Sequence, residues 1–287
     1  MAFQTSGHHG RMVPSSLLLI LRSGHLAASR RMRRRGLMVR DARESALLTM
    51  RGTLQYREII MSEPLQIGLL LFPKVTQLDF TGPLQVFASL PGAKIHLIWK
   101  RIEPVASDSV LTLTPTVTFA DCPQLDVICV PGGMGTDDLV NDEETLDFLR
   151  AQATNAQYIT SVCTGSLVLG AAGLLQGFRA TTHWSAMQYL PAFGAAPTKT
   201  RVCVDRNRIT GGGVTAGIDF ALTLVSILTD RKTAEAIQLR LEYNPAPPFN
   251  AGSPDTAPPE VLAFLKERIA ANSQRRGDAI NRAAGRL

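Results

Sequence analysis

Cys163 follows the apolar run Tyr158-Ile159-Thr160-Ser161-Val162 and is followed by Thr164-Gly165-Ser166 and a second apolar stretch. A strand that breaks straight into a helix leaves the residue at the break over the carboxyl edge of the sheet. Open parallel sheets bind ligands at that edge. With Ser at the break the arrangement is a nucleophile elbow, and here Cys takes its place. The start of the following helix favours a thiolate, which is the reactive form of cysteine. Read only from its position, Cys163 is either such a nucleophile or a small buried core residue, as many free thiols are. Cys129 lies inside the apolar run 125–130, and Cys122 and Cys203 have no glycine turn beside them, so none of these shares the pattern.

Three further features could serve such a thiol. Asp79 sits between Leu78 and Phe80 just after the first apolar run. A carboxyl held there in apolar surroundings has a raised pKa and can shuttle protons, or else it caps a helix. Gly132 and Gly133 close the strand run LDVICVPGG at the same edge, where backbone N–H groups can stabilise a developing anion or simply form a turn. His183, in Ala180-Thr181-Thr182-His183-Trp184, is either a base beside Cys163 or a satisfied structural histidine.

These residues need a frame. Apolar runs at 65–72, 93–100, 125–133 and 157–163, and one ending at 208–213, read as buried strands. Helical spacing falls at 78–90, 142–155, 164–175, 215–230, 231–243 and 259–275, and residues 104–119 suggest a hairpin. Strands that alternate with helices predict an α/β domain, a three-layer sandwich with a mostly parallel central sheet. The Pro/Gly-rich segment 244–260 is an ordered loop or a linker. Gly211-Gly212-Gly213 lacks the lysine and spacing of a nucleotide loop.

Composition narrows the function. No pair among the four cysteines has C-x-x-C spacing, which argues against a disulfide framework or a metal site and for a reducing, cytoplasmic setting. Residues 1–60 carry eleven Arg, no Lys and three acids, a net +8 against +6 for the chain, so residues 61–287 carry −2. The excess charge belongs to this leader, and the body shows no nucleic-acid footprint. Leu17–Leu21 is too short to cross a membrane. The leader reads as a targeting segment, a disordered basic tail, or codons upstream of a start at Met61.

Taken in order, LLLFPKVTQLDFTGPLQVF, DVICVPGG, TSVCTGSLVLGAAGLLQG, ATTHW, TGGGVTAGIDFAL and LEYNPAPPFNAGSPDTAP resemble the ThiJ/PfpI superfamily over residues 65–260. Within it the pattern is most similar to the isonitrile-hydrating members. The resemblance implies a homodimer with no metal or cofactor, and a small-molecule isonitrile as substrate. It places the nucleophile on Cys163 and its acidic partner on Asp79, where many members carry Glu. Thr164 stands where peptidase-like members have His, which argues against proteolysis. The implied reaction passes through a thioimidate on Cys163, with Thr164 bonding the sulfur or the Asp79 carboxyl. Two other classes stay open. One is a carbonyl or redox stress protein, either glyoxalase-like or a sensor that oxidises Cys163. The other is a ligand-binding domain related to transcriptional regulators, although the end QRRGDAINRAAGRL reads as too short for a DNA-binding region.

Overall fold

The computed structural model describes residues 64–286. The expectations for residues 1–60 and for a start at Met61 lie outside the described residues.

The predicted strands form one sheet. They are β1 (Leu65–Leu70), β2 (Ala93–Trp99), β6 (Val127–Val130), β7 (Tyr158–Val162) and β11 (Arg208–Gly211), all parallel to one another. Their apolar runs are continuous rather than alternating because both faces are covered. Ile67, Leu69, Val127, Cys129, Ile159 and Val162 are fully buried.

The segment 104–119 does more than form a hairpin. β3 (Val105–Ala106) and β4 (Thr112–Leu113) pair antiparallel, while β5 (Val117–Thr118) joins the main sheet parallel to β2. Two short strands, β8 (Arg179–Ala180) and β9 (Ala196–Pro197), pair separately. β10 (Val202–Asp205) pairs antiparallel with β11 and closes the far edge. The sheet order is β10-β11-β7-β6-β1-β2-β5.

The helices pack in two groups on this sheet. α1 (Gln77–Phe87), α5 (Ala216–Leu228) and α6 (Arg231–Arg240) form one. α2 (Thr136–Leu139), α3 (Glu143–Ala153), α4 (Gly165–Ala171) and α7 (Pro259–Ala284) form the other, together with a 3₁₀ helix over Trp184–Phe193. The result is the expected three-layer α/β sandwich.

Residues 241–258 carry no regular structure, as their proline content requires. α7 runs well past the predicted end at 275. Ala279, Ile280 and Ala283 are buried, so the basic end of the chain is a packed helix and not a tail. Among the described residues no helix is long and apolar enough to cross a membrane.

Candidate active site

β1, β6, β7 and β11 all end at one edge, and the segments leaving these strands build the site. After β7 the chain turns through Cys163, whose φ of 55° lies in the left-handed region that disfavours a side chain. Hydrogen bonds on both sides hold that conformation. The Cys163 N–H donates to the Gly212 carbonyl at 2.8 Å. The Cys163 carbonyl accepts from Thr182 Oγ1 at 2.8 Å and from Ser166 Oγ at 3.2 Å. A strained residue fixed from several directions is what a nucleophile elbow requires.

Asp79 enters from α1. The cap of that helix is Thr76, and Asp79 does not cap it. Its Oδ2 reaches across to β6 and accepts from the Gly132 N–H at 3.1 Å. Oδ1 is buried and has no conventional hydrogen-bond partner among the described residues. The Cys163 thiol lies beside this carboxyl, in a contact looser than a well-formed hydrogen bond but close enough for each group to act on the other's charge. Burial raises the Asp79 pKa from 3.8 to about 7, against the thiol and the Gly132 N–H, which pull it down. Burial, followed by the neighbouring carboxylate, pushes the thiol upward as well, which corrects the expectation of a thiol lowered by its helix. Two acids in one dry corner disfavour joint ionisation, so the pair keeps a proton near neutral pH.

The Gly132 and Gly133 N–H groups are both occupied. The first holds Asp79 and the second donates to Thr164 Oγ1 at 3.0 Å. Neither is left to face a substrate, so the anion-binding role expected for them is not the arrangement seen. Gly132 is required for a different reason. A Cβ there would lie 2.6 Å from Asp79 Oδ2 and 2.8 Å from the Cys163 Cβ.

Thr164 likewise does not bond the sulfur or Asp79 through its hydroxyl. That hydroxyl links Gly133 to Thr136 Oγ1 at 3.0 Å, and it is the Thr164 backbone N–H that faces the thiol. His183 caps the 3₁₀ helix, with Nδ1 accepting from the Ser185 N–H at 3.3 Å. The ring proton is therefore on Nε2. Burial, then the charge of Arg276, lowers its pKa from 6.5 to about 4. His183 is a neutral donor on the wall of the site and not a base paired to Cys163.

Cys163 opens onto a cavity of about 310 Å³. Its apolar walls are Met134, Trp184, Val214, Leu265 and Ile269. The Pro/Gly-rich loop after α6 lines a neighbouring space. Gly252–Asp255 border a cavity of about 1290 Å³ that does not include Cys163 but shares His183, Trp184 and Ser185 with the smaller one.

Sequence reasoning missed Arg276 and Asp137. Arg276, on α7, lines the Cys163 cavity, and its Nε donates to Asp137 Oδ1 at 2.7 Å. The apolar spacing of Ile269, Ile280 and Ala283 could have revealed the helix, but Gly277 within it reads as a stop. Among the described residues no cluster of His, Cys, Asp and Glu is placed to hold a metal.

The fold and site define a parallel-sheet α/β protein with a cysteine on a strained elbow and a buried carboxyl beside it. Residues 66–227 match the DJ-1/PfpI family, and the chain belongs to that family. It is 60% identical over 223 residues to the isonitrile hydratase of Pseudomonas putida, covering 78% of this chain and 98% of that protein. It is 33% identical over 190 residues to the HTH-type transcriptional regulator GbdR of Pseudomonas aeruginosa, covering 63% of this chain and 51% of the regulator. The crystal structure of a ThiJ/PfpI family protein from Pseudomonas syringae superposes with a TM-score of 0.74 at 49% identity, covering 76% of this chain and 90% of that one.

Proposed function

We propose that the protein is an isonitrile hydratase, converting an isonitrile and water to an N-substituted formamide. The observation that carries this reading is the Asp79 carboxyl, fully buried and set beside the Cys163 thiol, with its Oδ1 left without a hydrogen-bond partner among the described residues. The near full-length similarity to the P. putida hydratase supports the substrate class.

The shared proton sets the chemistry. With the proton on Asp79 and the thiol ionised, the Cys163 sulfur bonds to the terminal isonitrile carbon. Asp79 delivers its proton to that carbon, giving a thioimidate and a carboxylate. Water then adds. Its oxygen bonds to the carbon, one of its protons passes to the imine nitrogen and the other to Asp79. The tetrahedral adduct now carries an oxyanion. Its collapse breaks the C–S bond, releases the formamide, and leaves the thiolate with protonated Asp79, as at the start. Met134, Trp184 and Val214 give the organic substituent an apolar seat and keep bulk water from the thioimidate.

Two settings complete the reading. Leu239, Phe249 and Phe264 are mostly exposed, at 81%, 79% and 61%, and apolar surface of that kind suits a homodimer interface. Cys122, Cys129, Cys163 and Cys203 are all free thiols, which suits the reducing cytoplasm.

Formamide formation from a small alkyl isonitrile tests the reading, with Cys163→Ala as the control. Turnover by the native chain and none by a folded variant is expected. Turnover that survives in Cys163→Ala removes the covalent route, and no turnover by the native chain removes the function.

A further inference from the structure

The Thr164 N–H faces the thiol, and hydration needs a further donor for the oxygen. When water adds to the thioimidate, its oxygen becomes an anion before the C–S bond breaks. The N–H groups of Gly132, Gly133 and Cys163 are spent on Asp79, Thr164 and the Gly212 carbonyl. Among the described residues that line the Cys163 cavity, Arg276 is the one Lys or Arg.

Arg276 is 9% exposed and Asp137 is 5% exposed. The Arg276 Nε donates to Asp137 Oδ1 at 2.7 Å, and Arg275 Nη2 reaches Oδ2 of the same carboxylate at 3.4 Å. The two Nη groups of Arg276 make no hydrogen bond among the described residues. Leu265, Ile269, Asn272, Ser273 and Arg276 all line the cavity, at the spacing of one face of α7. Asp137 offsets the charge of Arg276, and the Nη donors, which are not among the buried unpartnered atoms, are left available on the cavity.

We propose that Arg276 is the anion-stabilising group of the Cys163 cavity. Asp137 fixes the guanidinium through Nε, and the free Nη donors serve first the thiolate and then the oxyanion of the tetrahedral adduct. The second role rests on the hydration reading, while the first holds for any chemistry of this thiol. Burial and the Asp79 carboxylate hold the Cys163 thiol high, and the charge of Arg276 opposes them, the direction this role requires.

Alkylation of Cys163 in the full chain tests the proposal without using isonitrile. Iodoacetate is an anion and iodoacetamide is neutral, and peptide mass mapping separates Cys163 from the other cysteines. The double variant Asp137→Asn/Arg276→Met removes both charges and leaves no carboxylate unpaired. Its iodoacetate-to-iodoacetamide rate ratio at Cys163 is expected to fall roughly tenfold, the worth of one charge-assisted contact, and its alkylation midpoint to move to higher pH. Arg276→Gln keeps a donor and loses the charge, and it should show the same fall if the double variant does not fold. Arg276→Lys should keep most of the ratio. A native ratio and midpoint in a folded neutral variant would overturn the proposal. A native chain that makes no formamide but shows the Arg276-dependent ratio would overturn the hydration reading and leave the thiolate role standing.

Discussion

Asp79 and Gly132 are joined by a hydrogen bond of 3.1 Å from a backbone N–H to a fully buried carboxylate oxygen. That bond ties α1 to the end of β6 and holds the Asp79 carboxyl beside Cys163. It also explains why the strand must end in glycine. In Gly132→Ala the new methyl would press on Asp79 Oδ2, the Thr164 N and the Cys163 Cβ together, all within 2.8 Å. Backbone and a short carboxyl cannot yield as a long side chain would. Turnover is expected to drop roughly 100-fold, as for other small displacements of reacting groups. Stability should fall by about 1–3 kcal/mol. A variant with native kcat would show that the spacing between Asp79 and Cys163 is not what matters.

The raised pKa of Asp79 links the site to stability. The group titrates at 3.8 when exposed and at about 7 when folded, so the folded state holds the proton more tightly. Its stabilising contribution is complete below pH 3.8 and is lost as pH rises through about 7. Asp79→Asn cannot ionise and escapes that loss. At pH 8 it should melt higher than the native protein, by up to about 4 kcal/mol of unfolding free energy, and the difference should vanish near pH 4. His183 acts in the opposite direction, since a pKa lowered to about 4 makes its contribution disappear on acidification. That background is common to both proteins, so their difference isolates Asp79. Denaturation curves that stay parallel from pH 4 to pH 8 would mean that Asp79 carries no raised pKa. The same variant should lose most of its turnover, because an amide cannot trade protons with the substrate.

The central part of this site was legible in the residues because local patterns encode it. Cys163 is announced by a strand run that ends in a Thr-Gly-Ser turn, and the parallel sheet by continuous apolar runs. What could not be read are the partners brought together by chain reversals. Thr182 was visible only as a neighbour of His183, yet it is Thr182 that holds the Cys163 carbonyl. His183 is turned away from base chemistry by Ser185, two residues on, through a capping geometry that spacing does not reveal. Asp137 and Arg276 lie 139 positions apart, and a glycine inside α7 conceals the continuity of that helix.

Thr164 now has a distinct role. Its hydroxyl receives the Gly133 N–H and the Thr136 hydroxyl and sits 3.3 Å from the Gly133 carbonyl. Thr164→Val keeps the shape and strands the Gly133 N–H in a buried place. A loss of about 1–3 kcal/mol in stability is expected, with weaker turnover as the β6 turn shifts. Thr164→Ser keeps the oxygen and should be close to native in both. Thermal melts of the pair check this, and equal melting temperatures for Val and Ser would show that the hydroxyl bonds contribute nothing.

Thr182 gives the sharpest test of the elbow itself. The left-handed backbone at Cys163, φ 55°, costs on the order of 1–3 kcal/mol and persists because its surroundings over-determine it. Thr182 Oγ1 supplies one of the bonds to the Cys163 carbonyl, at 2.8 Å, and it does not line the Cys163 cavity. Thr182→Val therefore removes a restraint on the nucleophile without touching the substrate. The expected signature is a modest stability loss, about 1 kcal/mol, paired with a fall in kcat and little change in KM. Thr182→Ser should restore kcat. If Thr182→Val lowers stability but leaves kcat native, the remaining bonds, from Ser166 and to Gly212, hold the elbow by themselves.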